Sequence, residues 1–135
     1  MIPWDAFPGP WDNPDIHRPY QAASAEEKVF NKLELQEIWN LPLSDTVPLV
    51  ASDGPVPPPA QRIQLLRADS TAAMSMVLAG CDILVSPDPA LRRLARRYGT
   101  CPAENEGELA QALQIYEDRD VWAVLVRRLL EQAEM

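Results

Sequence analysis

The arginines at 92, 93, 96 and 97 form the densest group of chemically competent side chains in the sequence. On a helix, Arg92/Arg96 and Arg93/Arg97 each repeat at i,i+4 and build a broad basic stripe. The guanidinium fork suits carboxylates and phosphates. The stripe is therefore either a solvated face that complements a helix C-terminus or a docking strip for an acidic protein surface. A small phosphate fits less well, because the helix dipole is negative at that end. The other candidates stand alone. His17, the one histidine, sits among prolines beside Arg18 with no motif placing a nucleophile next to it, and reads as a surface loop residue. Asp12, Asp15, Asp82 and Asp88 lack the helical pairing of acid–base carboxylates and read as caps and turns. Cys81 and Cys101 fall at the starts of two expected strands; buried thiols are the simpler reading, and a redox pair requires neighbouring strand ends within bridging distance. No Cys/His cluster has metal-ligand spacing. No catalytic, cofactor-binding or metal-ligating residue is assigned.

The elements that would position these groups follow an α/β pattern. A short apolar run, Val47 to Val50, reads as a first strand. In nucleotide- and sugar-binding α/β domains the next loop carries glycines and a basic residue for phosphate. Here Ala51 to Gln61 holds four prolines, one glycine and no basic residue before Arg62. Proline has no N–H to offer an anion and stiffens the chain, so this segment reads as a bridge. Arg62 to Leu66 is a second strand, Ile83 to Val85 a third, apolar on both faces, and Thr100 to Pro102 a short fourth. Between them, Asp69 or Ser70 caps a helix through Leu78, and Pro89 opens one running to Tyr98 with Gly99 as its stop. Asn105 caps a helix carrying Leu109 to Tyr116, and Asp118 or Asp120 caps the last. Upstream, Ser24-Ala25-Glu26-Glu27 has the capping-box pattern for a helix to about Trp39. Its apolar residues fall on two sides, Val29/Phe30/Leu33 and Leu35/Ile38/Trp39, implying contacts on both. The fold expected is a small three-layer α/β domain, residues 24–135, with a mostly parallel, Rossmann-like sheet of about four strands flanked by helices. Residues 1–23 carry five prolines with Trp4, Phe7, Trp11 and Tyr20 between them. This arm is either wrapped over its own domain or docked on a partner.

Composition narrows the function classes. At 135 residues and 47% hydrophobic content the chain can bury a core without metals or disulfides. A net charge of −8 argues against nucleic acid and anionic membrane as partners. No apolar run approaches the ~20 residues of a membrane span, and the start of the chain lacks the basic and apolar regions of a signal peptide. Two cysteines make no disulfide framework, so a cytoplasmic protein is expected.

Several stretches have a familiar order. Trp11-Asp12-Asn13-Pro14-Asp15, Tyr20, Lys28, the run Asn31-Lys32-Leu33-Glu34-Leu35-Gln36 and Leu41-Pro42-Leu43 resemble the start of the C-terminal domain of bacterial glycogen and starch synthases, GT-B glycosyltransferases. Leu78-Ala79-Gly80-Cys81-Asp82-Ile83-Leu84-Val85-Ser86-Pro87 is similar to that family's AGADxxLxPS strand. Arg97-Tyr98-Gly99-Thr100-Cys101-Pro102 resembles its RYGTxP turn, and Glu106 to Ala110 falls where it has GGLADT. The closing helices, with Tyr116-Glu117-Asp118 and Trp122, resemble its C-terminal elements. The resemblance runs collinearly from about Trp11 to Arg128.

The departures concern chemistry. The family's SRLxxQKG motif, which supplies an arginine and a lysine for the phosphates, has no counterpart after Val50. Ser86 to Tyr98 contains no Glu-Pro-Cys-Gly, the family's segment with an essential glutamate. The sequence also holds no counterpart of the N-terminal domain. None of the family's charged catalytic residues carries over. The resemblance therefore implies a truncated, degenerate, non-catalytic relative that serves as a protein-interaction or structural subunit. Two alternatives stand beside it: a subunit completing a split glucosyltransferase in trans, and a sensor of nucleotide sugar or glucan. The expected partner is another protein or a second copy, with nucleotide-sugar binding weak or absent and no cofactor. The expected contact residues are Trp4, Phe7, Trp11, Ile38 and Trp39 as apolar anchors, with Arg92, Arg93, Arg96 and Arg97 at the polar rim.

Overall fold

The structure, a computed structural model, describes residues 7–134. Four strands, β1 (Leu49–Ala51), β2 (Gln61–Ile63), β3 (Ile83–Val85) and β4 (Cys101–Ala103), form one all-parallel sheet in the order β2-β1-β3-β4. Helix α1 (Lys28–Ile38) precedes the sheet. Helix α2 (Thr71–Gly80) joins β2 to β3, α3 (Pro89–Arg97) joins β3 to β4, and α4 (Glu106–Tyr116) and α5 (Arg119–Glu134) follow. This is the expected α/β class, a small three-layer arrangement with a parallel sheet. No helix among the described residues is long and apolar enough to cross a membrane.

The two-residue period of the strands divides the interior. Leu49, Ala51, Ile63 and Leu84 face a core shared with α1, α2 and α3, while Val50, Ile83 and Ala103 face a second core with Leu109, Ala112, Tyr116 and Trp122. Helix α5 serves both, through Trp122 near its start and Leu130 near its end.

Several boundaries differ from the sequence expectation. β1 starts two residues later than Val47. β2 ends at Ile63, because Leu65–Arg67 closes into a turn of 3-10 helix through Arg67 N–H to Gln64 O (3.1 Å) and Ala68 N–H to Leu65 O (3.0 Å). Ser24 does not cap α1. It lies inside a 3-10 segment, Ala22–Glu27, where its hydroxyl accepts the Gln21 N–H (3.1 Å), and its own non-helical backbone (φ −129°, ψ 37°) delays α1 to Lys28.

The proline segment joins β1 to its parallel neighbour β2, a connection that ordinarily needs a helix. It crosses without one. Val56 and Ala60 lie against the second core, and the ends are pinned by Ser52 N–H to Ile63 O and Gln61 N–H to Pro48 O, both 2.9 Å.

Of the arm's two readings, the wrapped one describes residues 7–23. Phe7, Ile16, Tyr20 and Ala22 are buried in the first core. Tyr98 Oη donates to Pro8 O (2.6 Å), Tyr20 Oη donates to Tyr98 O (2.6 Å), and Asn13 Nδ2 donates to Ser75 Oγ (2.9 Å) and Tyr98 Oη (2.8 Å). This stretch is part of the domain's core, not an appendage to it.

Candidate functional site

Helix α1 buries the wrong-looking face. Lys28, Asn31, Lys32, Leu35 and Gln36 are spaced i, i+3, i+4, i+7, i+8 and share one side, and all five are buried. Phe30 and Ile38 are exposed instead. The expected helix with apolar contacts on two sides is thus corrected to one with a polar inner face.

Burying charge is costly unless each group is satisfied, and here each is. Lys28 Nζ donates to the carbonyls of Ala79 (2.6 Å), Cys81 (2.8 Å) and Leu78 (3.4 Å). These include carbonyls from the last turn of α2, where helical partners run out and the dipole is negative. Burial nonetheless lowers the amine from 10.5 to about 8. Thr100 Oγ1 reaches the same place, donating to Leu78 O (2.5 Å). Lys32 Nζ lies 2.8 Å from Asp82 Oδ2 and donates to Tyr116 Oη (2.9 Å). Asp82 Oδ2 also accepts the Leu49 N–H (2.8 Å), so one ion pair ties α1, β1, β3 and α4 together. Gln36 Nε2 donates to Ser44 O (2.9 Å) and Gln61 Oε1 (2.8 Å). Asn31 exchanges two 2.8 Å hydrogen bonds with the backbone of Arg18.

A cleft of about 350 Å3 opens beside this cluster, lined by Lys28, Lys32, Asp82, Glu26, Arg119 and Trp122 among others. It lies at the amino edge of the strands, since Asp82 precedes β3. Open α/β sheets bind ligands at the opposite, carboxyl edge. Arg119 is already bonded to Tyr116 Oη (2.6 Å), and among the described residues no buried side-chain nitrogen or oxygen lacks a partner. The cluster is a polar frame.

At the carboxyl edge the loops after β1, β3 and β4 meet the N-termini of α3 and α4. These N–H groups bind phosphate in nucleotide-binding folds, and here a side chain of the chain itself takes one of them at each helix. Asp88 Oδ1 accepts the Ala90 N–H (2.9 Å), and Asn105 Oδ1 accepts the Glu108 N–H (3.0 Å). Glu108 Oε1 accepts the Glu104 N–H (2.7 Å). Two nearby arginines brace loops: Arg62 Nη1 donates to Gly54 O (3.2 Å) and Arg92 Nη1 to Ser86 O (2.8 Å). Asp53, Glu104, Glu106 and Glu108 are exposed, so this edge presents carboxylates to an approaching diphosphate.

Of the residues assigned to contacts, Trp4 lies outside the described residues. Phe7 is 4% exposed and fills the domain's own core. Trp11 is exposed, its ring lying against Gly9. On α1, Ile38 is exposed, and the half-buried Trp39 is stacked under the Arg67 guanidinium, 4.8 Å from the ring centre. The arginine stripe splits. Arg92 and Arg97 are half-buried and hydrogen-bonded to backbone, Arg97 Nη1 donating to Phe7 O (3.2 Å), whereas Arg93 and Arg96 are exposed. His17 is on the surface with Nδ1 3.8 Å from Glu34 Oε2.

Sequence reasoning missed the frame of Lys28, Lys32, Gln36, Asp82 and Tyr116. Its one signal was the helical spacing of the polar residues on α1, a pattern that ordinarily marks a solvated face. Exposed Leu43 and Leu66 were missed as well.

The two thiols lie on opposite sides of the sheet. Cys81 belongs to the first core and Cys101 borders the second. Burial pushes them up from 9.0 to about 12 and about 11. Among the described residues no group of three or more His, Cys, Asp or Glu could hold a metal ion. No protein-family model matches the sequence, and no curated protein matches it significantly.

Proposed function

We propose that this protein is a non-catalytic relative of the glycogen and starch synthases, a GT-B-like half-domain that serves as a protein-interaction or structural subunit. One observation carries the reading: residues from the resembling stretches make the contacts that hold the domain's elements together, and those that would do the family's chemistry are missing. Asn13, Lys32, Gly80, Asp82, Tyr98 and Thr100 all come from the resembling stretches, and they join the arm, α1, α2 and β3. Glycosyl transfer from a nucleotide sugar needs cations on the departing diphosphate and a facing domain that excludes water. The carboxyl edge instead carries a proline bridge, side-chain caps on α3 and α4, and exposed carboxylates.

The interaction role is supported by exposed apolar side chains beyond the edge strand β2: Leu66 is 81% exposed, Leu43 60% and Ile38 49%. Large apolar side chains left this exposed are the candidate contact residues. We place the protein in the cytoplasm, consistent with two free cysteines. Its partner is a protein surface and not nucleic acid, given the net charge of −8.

Purified protein incubated with ADP-glucose or UDP-glucose and glycogen is expected to transfer no glucose, and calorimetry with ADP to give no dissociation constant tighter than about 10 μM. Turnover by the pure chain, abolished by a substitution within it, overturns the reading. Turnover that requires a second chain replaces it with the trans-complementing subunit. Tight nucleotide binding without turnover replaces it with the sensor.

A further inference from the structure

Two surfaces of this chain are complementary to each other. The first is a groove of about 400 Å3 between α3 and the last turns of α5. Its floor is Leu94 and Leu129, 3% and 7% exposed, with Ala90 and Ala133 leaving space above them. Its walls carry Arg93, Arg96 and Arg97, and no acidic residue lines it, in a chain of net charge −8. Arg97 is tied to the Phe7 carbonyl. Arg93 and Arg96 are exposed, one helical turn apart, and neither forms a salt bridge or hydrogen bond among the described residues. A favourable position near the helix C-terminus accounts for their charge but not for the apolar trough between them.

The second surface is the outer face of α1. Phe30, Glu34, Glu37 and Ile38 are spaced i, i+4, i+7, i+8 and form one stripe. Phe30 is 41% exposed and Ile38 49%. Glu34 and Glu37 stand between them at the same i, i+3 spacing as Arg93 and Arg96. Glu37 is in no ion pair among the described residues, and Glu34 has only the partly exposed His17 at 3.8 Å. Arg18, over the Phe30 ring at 4.5 Å, is neutralised by Glu27 at 3.0 Å.

We propose that the occupant of the α3–α5 groove is α1 of a second copy of this chain. Glu34 and Glu37 of one copy meet Arg93 and Arg96 of the other, with Ile38 or Phe30 seated on Leu94 and Leu129, as an amphipathic helix lies in a groove. Helix α4 also carries acidic residues, Glu106 and Glu108. Its apolar side, Leu109, Ala112 and Tyr116, is committed to the second core and cannot enter a trough. Mutual repulsion of two acidic copies is screened beyond a Debye length of about 8 Å, so the local match decides. Each copy carries both a groove and a helix, so two copies can pair reciprocally or link head to tail. This names the partner for the interaction role proposed above and rests on it.

A charge swap tests it. At about 100 μM, sedimentation is expected to show wild-type protein above monomer mass, weakening as NaCl rises. Arg93→Glu with Arg96→Glu, and separately Glu34→Arg with Glu37→Arg, should each be folded by circular dichroism and monomeric. Mixing the two variants should restore association, because each groove then meets a helix of opposite charge. Arg93→Ala with Arg96→Ala should weaken self-association roughly tenfold. A monomeric wild type, a mixture that stays monomeric, or variants that associate like wild type would each overturn the proposal. A monomeric wild type leaves the broader interaction role standing if an Ile38→Ser, Leu66→Ser variant loses a different protein that wild type binds in a native pull-down. That role falls only if no partner is bound at all.

Discussion

Lys32 and Asp82 face each other at 2.8 Å with side chains only 4% and 14% exposed, and the same Asp82 oxygen accepts the backbone N–H of Leu49. Fifty residues apart in sequence, they join the first helix to the start of two central strands. Desolvation of both charges is offset by the tyrosine hydroxyl and the backbone donor, so the pair's value lies in having no unmet partner.

Removing one side should therefore cost far more than the pair is worth. Lys32→Met is expected to destabilise the protein by about 3 kcal/mol, by leaving Asp82 without its cation. Lys32→Met combined with Asp82→Asn should cost less than the sum of the two single changes, because no charge is then stranded. Urea unfolding of the three variants measures this coupling.

Stability should peak at about pH 9 and fall above it. Lys28 titrates at about 8 folded against 10.5 unfolded, so between these values the unfolded chain binds more protons and stability rises with pH. Cys81 and Cys101 act oppositely: the folded state keeps their protons to about 12 and about 11, while the unfolded chain loses them near 9.0. Above 10.0 the buried Tyr20, Tyr98 and Tyr116, all raised by desolvation, steepen the fall. Urea titrations between pH 7.5 and 10.5 read the curve, and Lys28→Met should remove the rising limb while keeping the falling one.

Much of the sheet was legible because β3 is a short apolar run between Gly80 and Pro87, and because Ser70, Pro89 and Asn105 start helices by ordinary local chemistry. The frame was not legible. A lysine's burial depends on carbonyls fifty residues away, and nothing local distinguishes Lys28 from a solvated lysine. Capping chemistry also misled at Ser24, where the same hydroxyl serves a 3-10 turn as readily as a helix. The arm's fate was undecided for a related reason: prolines dictate an extended chain, but Tyr98 and Ser75 determine what it lies on.

Gly80→Ala should destabilise by about 3 kcal/mol and Gly99→Ala by about 1.5 kcal/mol, by thermal or urea unfolding. A Cβ on Gly80 would sit 2.8 Å from the Asn31 carbonyl oxygen and 2.7 Å from Leu35 Cδ2, forcing α1 away from α2. Gly99 needs its positive φ of 68°, but the atoms around it belong to Leu130 and Val126 side chains, which can yield. Equal costs would mean that the α1–α2 contact is softer than its geometry implies.

Neither thiol should react readily in the native state. The thiolate is the nucleophile, and burial holds both groups well above their ordinary value. With Ellman's reagent at pH 8, Cys101 should modify slowly and Cys81 only on unfolding. Mass spectrometry after mild oxidation should find no intramolecular disulfide, since the sheet separates the two side chains.

Phe7 and Trp11 should part company on substitution, though both are aromatic residues of one proline-rich segment. Phe7 is 4% exposed in the first core, and its carbonyl and that of Pro8 accept from Arg97 and Tyr98. Trp11 is 36% exposed and rests on Gly9. Phe7→Ala is therefore expected to cost about 3–4 kcal/mol, the loss for a buried aromatic ring, while Trp11→Ala should stay within about 1 kcal/mol. Deleting residues 1–12 should consequently destabilise the α/β core itself, through Phe7 and the two carbonyl contacts, before it says anything about partners. Urea unfolding of the three proteins, followed by both far-ultraviolet circular dichroism and tryptophan fluorescence, separates these outcomes. If the deletion unfolds at the wild-type midpoint, residues 7–12 contribute nothing to the fold and are free to serve as a docking arm.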